Sequence, residues 1–111
     1  MNGEALPRRG EVWWARVDKR RPAVVVQTDK VREARIRSFL VVPLTSRLHL
    51  EGLPGNVRLD RRETGLRKTS VANVYDVQKV LSADFVERLN ALPSARLSAV
   101  CDGLRLVLDL S

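Results

Sequence analysis

The chain has 111 residues, 44% of them apolar and 30% charged, with a formal net charge of +7 and a single cysteine. That length suits one domain able to bury about two-thirds of its extended surface, and the mixture excludes a disordered chain. Cys101 has no intramolecular partner, which fits a reducing cytoplasm; no apolar run reaches the ~18 residues of a membrane span, and the polar opening MNGEALPRRG does not read as a signal peptide.

Residues 1–9 read as a flexible arm and residues 10–111 as a single domain. EVWWARV (11–17) is rich in β-branched and aromatic residues and predicts a strand. Its alternation puts Trp13, Ala15 and Val17 on one face and Trp14 and Arg16 on the other. DKRR (18–21) is a short connection. Pro22 starts the next strand, and AVVVQ (23–27) is continuously apolar, as a central strand would be. TDKVREARIR (28–37) predicts a loop or a single helical turn. SFLVVPLTS (38–46) is a third strand with Pro43 near its exit, RLHLEGLPGN (47–56) a loop, and NVRLD (56–60) a short strand. RRETGLRK (61–68) reads as a basic, turn-like crossing, and TSVANVYDVQKV (69–80) as one bent strand or two joined ones.

After Val80 the texture changes. LSADFVERL predicts a helix start, with Ser82 as N-cap and Asp84 in the first turn. PSARLSAVCDGLRLVLDL (93–110) has apolar residues at 97, 100, 101, 104, 107 and 108, the spacing of an amphipathic helix, with Ser94 as its N-cap. Gly103 interrupts that helix at about 1 kcal/mol relative to alanine, which suggests close packing there. The layout is α+β and mainly β: short antiparallel strands in a small, strongly bent barrel or sheet, with one C-terminal helix against it.

The charge is uneven. Residues 1–70 carry 16 Lys+Arg and 8 Asp+Glu, a net of +8, whereas residues 71–111 carry 4 and 5, a net of −1. The asymmetry points to a polyanionic partner, a nucleic acid or an acidic protein segment. Several chemistries lack their residues. There is no paired His/Cys spacing for a metal, no phosphate-binding glycine motif, and the only histidine, His49, sits in a Gly/Pro loop. Two short sites remain. Arg20-Arg21-Pro22 enters the second strand, and Leu44-Thr45-Ser46-Arg47 leaves the third. If these strands pair antiparallel, both sites lie at one end of the sheet, and guanidinium groups and hydroxyls gather as a phosphate-binding rim. Solvated strand ends carry the same residue types, so this pattern alone leaves both readings open.

The ordered series RRGEVWWARV, RRPAVVVQTD, VVPLTS and TGLRKTSVANVYDVQKV resembles the MazF/PemK/Kid toxins, endoribonucleases of type II toxin–antitoxin systems, from about residue 8 to the final helix. The resemblance implies an SH3-like barrel of five to seven short strands with a C-terminal helix, and a homodimer. It also implies metal-independent, cofactor-free cleavage of single-stranded RNA at short sequences, and an antitoxin partner, expected to be acidic. By likeness, Arg21 and Thr45 take the catalytic positions and Gln78 that of an RNA-contacting glutamine. Arg20, Ser46 and Arg47 are the further RNA-binding candidates at the rim. Trp14 is a candidate stacking surface for a base, with packing in a dimer interface or under the helix as the alternative. A pKa above about 12 suits Arg21 to stabilising charge or donating a proton, not to being a base. The alternative function is a non-catalytic toxin or nucleic-acid-binding barrel of the same fold. A CcdB-like gyrase poison would act through a C-terminal tryptophan tail, but this chain ends Leu108-Asp109-Leu110-Ser111, with both tryptophans near its start.

Overall fold

The computed structural model describes residues 6–110. Seven strands, β1 (Glu11–Arg16), β2 (Arg20–Val25), β3 (Ser38–Thr45), β4 (Val57–Leu59), β5 (Ser70–Ala72), β6 (Gln78–Leu81) and β7 (Phe85–Ala91), form one antiparallel sheet. Two helices accompany it: the single turn α1 (Arg61–Thr64) and the C-terminal α2 (Ser94–Leu108). The sheet order is β4-β5-β3-β2-β1-β7, and β6 also pairs with β3. This is the mainly β architecture with a C-terminal helix that the sequence predicts.

The uninterrupted valines of β2 follow from coverage on both faces. Val24 and Val26 point into a core with Val12, Val42, Leu44 and Leu59, closed by Val100 of α2 and, at its edge, by Leu97, Leu104 and Val107. Ala23 and Val25 point into a second core with Trp13, Ala15, Phe39, Val41 and Val80. Each such buried side chain contributes about 1.5–3 kcal/mol. Phe85 closes the second core edge-on to Trp13 (centroids 5.7 Å apart) and Phe39 (5.5 Å). Residues 69–80 form two strands joined by a 3-10 turn at Val74–Asp76, so β6 and then β5 follow β3, opposite Ser38–Val41 and Leu44–Thr45.

Three local expectations are corrected. Ser82–Asp84 is one 3-10 turn with Leu81 at its cap, and Phe85–Ala91 continues as a strand, not a helix. The free edge of β1 supplies a ladder for it, and two register shifts in that ladder turn Phe85 toward one core and Leu89 toward the other. Pro93, not Ser94, occupies the cap of α2; its carbonyl accepts the amides of Arg96 and Leu97 at 2.9 and 3.0 Å, with no side-chain cap. The connection before Pro22 is shorter than expected, because β2 begins at Arg20 and Pro22 lies inside it, just beyond the last pair with β3.

Residues 1–5 of the expected arm lie outside the described residues. Leu6–Arg9 are tied down. Leu6 packs against the second core and Pro7 is buried. The Arg8 amide donates to Glu11 Oε1 at 2.7 Å, and the Arg9 guanidinium donates to the Val26 carbonyl and to Cys101 Sγ. Burial pushes the Glu11 carboxyl up, but hydrogen bonds from Arg88, Trp13 and Arg8, and the Arg88 charge, outweigh it and hold Glu11 below the ordinary value. Glu11 thereby fastens β1 to β7.

Candidate functional site

The β2–β3 ladder pairs Ala23 with Pro43, Val24 with Val42 and Val25 with Val41. Continued two residues past its last pair, that register carries Arg21 and Thr45 to the same end of the sheet. Both alternate with residues of the second core, so both side chains leave the sheet on one face. Each is half-buried. The sequence expectation that entry of the second strand and exit of the third share one end of the sheet therefore holds.

The β1–β2 turn holds Arg21. Its Nε donates to Asp18 Oδ1 at 3.0 Å and its Nη2 to Oδ2 at 3.5 Å. The Arg21 guanidinium, with the Asp18 and Lys19 amides, brings the Asp18 carboxyl down from 3.8 to about 2. Asp18 in turn, by hydrogen bond and charge, with a further contribution from Asp76, raises Arg21 above its ordinary value. A guanidinium held there is no general base near neutral pH. Because the folded Asp18 pKa is depressed, its stabilising contribution is present above the unfolded pKa and lost as the pH falls through about 2. The two side chains are 41% and 69% exposed, so that contribution is small. An NMR titration of the Asp18 carboxyl should give a midpoint near 2, and in Arg21→Ala a midpoint raised toward 3.8 but held below it by the Asp18 and Lys19 amides; an unmoved midpoint would remove Arg21 as the main cause.

Thr45 is fixed by the turn that follows it: the Arg47 amide donates to Thr45 Oγ1 at 3.1 Å. The hydroxyl proton stays available to a ligand. Ser46 and Arg47 are exposed beside it.

Arg20, Arg21, Thr45, Ser46 and Arg47 line a single open cleft of about 710 Å³. The apolar part of its lining is Trp14, Pro22, Leu44, Leu66 and Leu89. Trp14 is neither under α2 nor in a core; the Arg20 guanidinium covers its ring at 4.9 Å and pairs with Glu87 at 3.3 Å. Gln78 is not brought to the cleft. It lies on β6 opposite Val41, on the edge of β3 away from β2, and its amide donates to Asp76 Oδ2 at 3.0 Å. His49 is exposed in a 3-10 turn, Leu48–Gly52, off the cleft. Among the described residues, no group of three or more His, Cys, Asp or Glu is placed to hold a metal ion, and no helix is long and apolar enough to cross a membrane.

Four charged lining residues were not among the sequence candidates: Lys19, Arg67, Lys68 and Glu87. RRETGLRK is conspicuously basic, but only the β4–β5–β3 pairing carries its end to the cleft. With Arg67 and Lys68 counted, the lining holds six cationic side chains and one carboxylate. The arrangement can grip a polyanion, aim a guanidinium and a hydroxyl at one oxyanion, and offer an apolar bed beside it.

Comparison with known proteins places this geometry. Residues 8–108 match the family model described as PemK-like, MazF-like toxin of type II toxin-antitoxin system. The chain is 34% identical over 110 residues to endoribonuclease MazF6 of Mycobacterium tuberculosis, covering 92% of this chain and 96% of that one. It is 37% identical over 109 residues to the probable endoribonuclease MazF5 of the same organism, covering 96% and 97%. A solved mycobacterial endoribonuclease in complex with its cognate antitoxin shares the fold, with a TM-score of 0.78, 19% identity and coverage of 95% and 97%. The chain belongs to the PemK-like, MazF-like toxin family of type II toxin–antitoxin systems.

Proposed function

We propose that the chain is an endoribonuclease toxin that cuts single-stranded RNA without a metal ion, with Arg21 and Thr45 at the scissile phosphate. The observation that carries this is that Arg21 and Thr45, from adjoining ends of the paired strands β2 and β3, line one cleft that holds six cations and one carboxylate. The endoribonuclease name of the MazF6 relative supports the reaction class. The substrate supplies the nucleophile. Its 2′-hydroxyl loses a proton and attacks the adjacent phosphorus, and the bond to the 5′-oxygen breaks as that oxygen gains a proton. A 2′,3′-cyclic phosphate and a 5′-hydroxyl result. Arg21 stabilises the charge that builds on the phosphoryl oxygens, or hands a proton to the leaving oxygen, and Thr45 donates its hydroxyl to one of them. Arg20, Ser46 and Arg47 hold the strand at the rim. A base stacks on Trp14 or on the outer plane of the Arg20 guanidinium. Gln78 meets the RNA only where the strand runs beyond the cleft.

The partners follow from the same charge. An antitoxin whose inhibitory segment is acidic would cover the +8 region of residues 1–70, and a related mycobacterial endoribonuclease was solved with its antitoxin bound. The working form is a homodimer in the cytoplasm. Incubating the purified protein with a long single-stranded RNA in EDTA should give discrete cuts ending in cyclic phosphates. RNA that is bound and left intact would favour the non-catalytic barrel instead.

A further inference from the structure

One part of the cleft lining is not used by the chemistry above: the wall formed by the Gly65–Thr69 segment between α1 and β5, which presents Leu66, Arg67 and Lys68 to the cleft. This segment is built to stay in place. Asp60 and Glu63 form a reciprocal capping box on α1, and Gly65, at φ 80°, closes the turn with its amide on the Arg61 carbonyl. A Cβ on Gly65 would stand 3.1 Å from the Leu89 carbonyl oxygen, so the turn sits directly on β7. Thr64 is fully buried, and its hydroxyl donates to the Asp60 carbonyl and accepts the Leu66 amide. Asn90 of β7 donates to the Arg62 and Glu63 carbonyls.

The two cations on this wall differ from Arg20 and Arg21. Arg20 and Arg21 each have a carboxylate, Glu87 and Asp18. Among the described residues, neither the Arg67 nor the Lys68 side chain has a salt-bridge partner. Adjacent exposed cations on a fixed backbone repel each other, and an anion between them relieves the repulsion. Arg67 and Lys68 line the same cleft as Arg21 and Thr45, together with the apolar side chains Trp14, Leu66 and Leu89. Single-stranded nucleic acid carries both kinds of group in alternation, phosphate, base, phosphate, so a strand held at Arg21 and Thr45 has a further phosphate to offer the other cations of the cleft.

We infer that Arg67 and Lys68 bind a second phosphate of the RNA strand, neighbouring the one at Arg21 and Thr45, and so set the direction in which the strand crosses the cleft. The inference rests on the RNA-cleaving reading of the site. It makes Arg67 and Lys68 positioning residues.

The test uses a 2′-O-methyl octanucleotide, which keeps every phosphate and lacks the nucleophile. Its affinity for wild type and for Arg67→Gln/Lys68→Gln is measured by fluorescence anisotropy over a salt series. Each phosphate contact on a single strand contributes a slope of about −0.7 in log K against log salt, so losing two cations should make the slope shallower by about 1.4. The dissociation constant at low salt should rise several-fold, with an unchanged melting temperature because neither side chain holds the fold together. An unchanged slope would overturn the inference. So would an unchanged RNA affinity with a weakened affinity for an oligoglutamate peptide, which would assign this wall to an acidic protein segment. If the slope falls as expected but wild type leaves cleavable RNA intact, the second-phosphate site stands and the catalytic reading fails. Cleavage with an unchanged slope gives the reverse.

Discussion

Arg21→Ala should slow cleavage of single-stranded RNA by about 10²–10³-fold at saturating substrate, the cost of removing one preorganised donor from a reacting oxyanion. The prediction rests on position more than on charge. Five other cationic side chains line the cleft and keep the RNA bound, so the loss should fall on kcat and leave KM nearly in place. Arg21 is already aimed before substrate arrives: it is part of a paired strand, and Asp18 holds two of its guanidinium nitrogens. Arg21→Lys keeps the charge but not the planar fork, and should recover only a small part of the rate. Since Asp18 and Arg21 both keep their charges between about pH 5 and 9, neither should place a break in the pH–rate profile there. A fall in binding with an intact kcat would make Arg21 a phosphate clamp and nothing more.

The second large effect is on stability. Gly103→Ala improves helix propensity by about 1 kcal/mol, and yet should destabilise the protein. A Cβ at position 103 would lie 2.0 Å from the Gly55 carbonyl oxygen and 2.9 Å from its carbonyl carbon. These are backbone atoms, so no rotamer change relieves the clash. Gly55 itself is held at φ 95°, with Val74 packed against it. Either α2 lifts from the core containing Val100 or the Leu53–Asn56 loop is displaced. Overpacking of this kind costs about 1–3 kcal/mol, and a clash with backbone atoms belongs to the upper half of that range, so after the propensity gain we expect a net loss of about 1–2 kcal/mol and a melting temperature lower by several degrees. Urea denaturation of wild type and variant measures it. A variant as stable as wild type would mean that helix and loop separate freely.

The parts of the fold that local chemistry dictates were legible in the sequence. The valine run of β2 declared a strand covered on both faces, and the apolar spacing from Leu97 to Leu108 declared the final helix. An interruption at Gly103 announced close packing, although its counterpart, Gly55, is 48 positions away in a loop and carried no signal of pairing. What failed was decided by partners distant in sequence. Ser82 and Asp84 make a good helix start, but the open edge of β1 made Phe85–Ala91 a strand. The site divides in the same way. Arg21 and Thr45 could be placed at one end of the sheet because antiparallel pairing relates adjacent strands. Arg67 and Lys68 were missed because they reach the cleft through the β5–β3 pairing, and Gln78 stands outside the cleft lining, on β6, with its partner Asp76 near enough to act on the Arg21 charge.

The convergence of Arg21 and Thr45 on one phosphate is tested most directly by a double-mutant cycle. Single-turnover cleavage of one RNA is measured for wild type, Arg21→Ala, Thr45→Ala and the double variant. Groups that stabilise the same developing charge are not independent, so the double variant should lose much less than the product of the two single losses. Losses that multiply in full would mean that guanidinium and hydroxyl act at separate places, and the account of the site would be wrong.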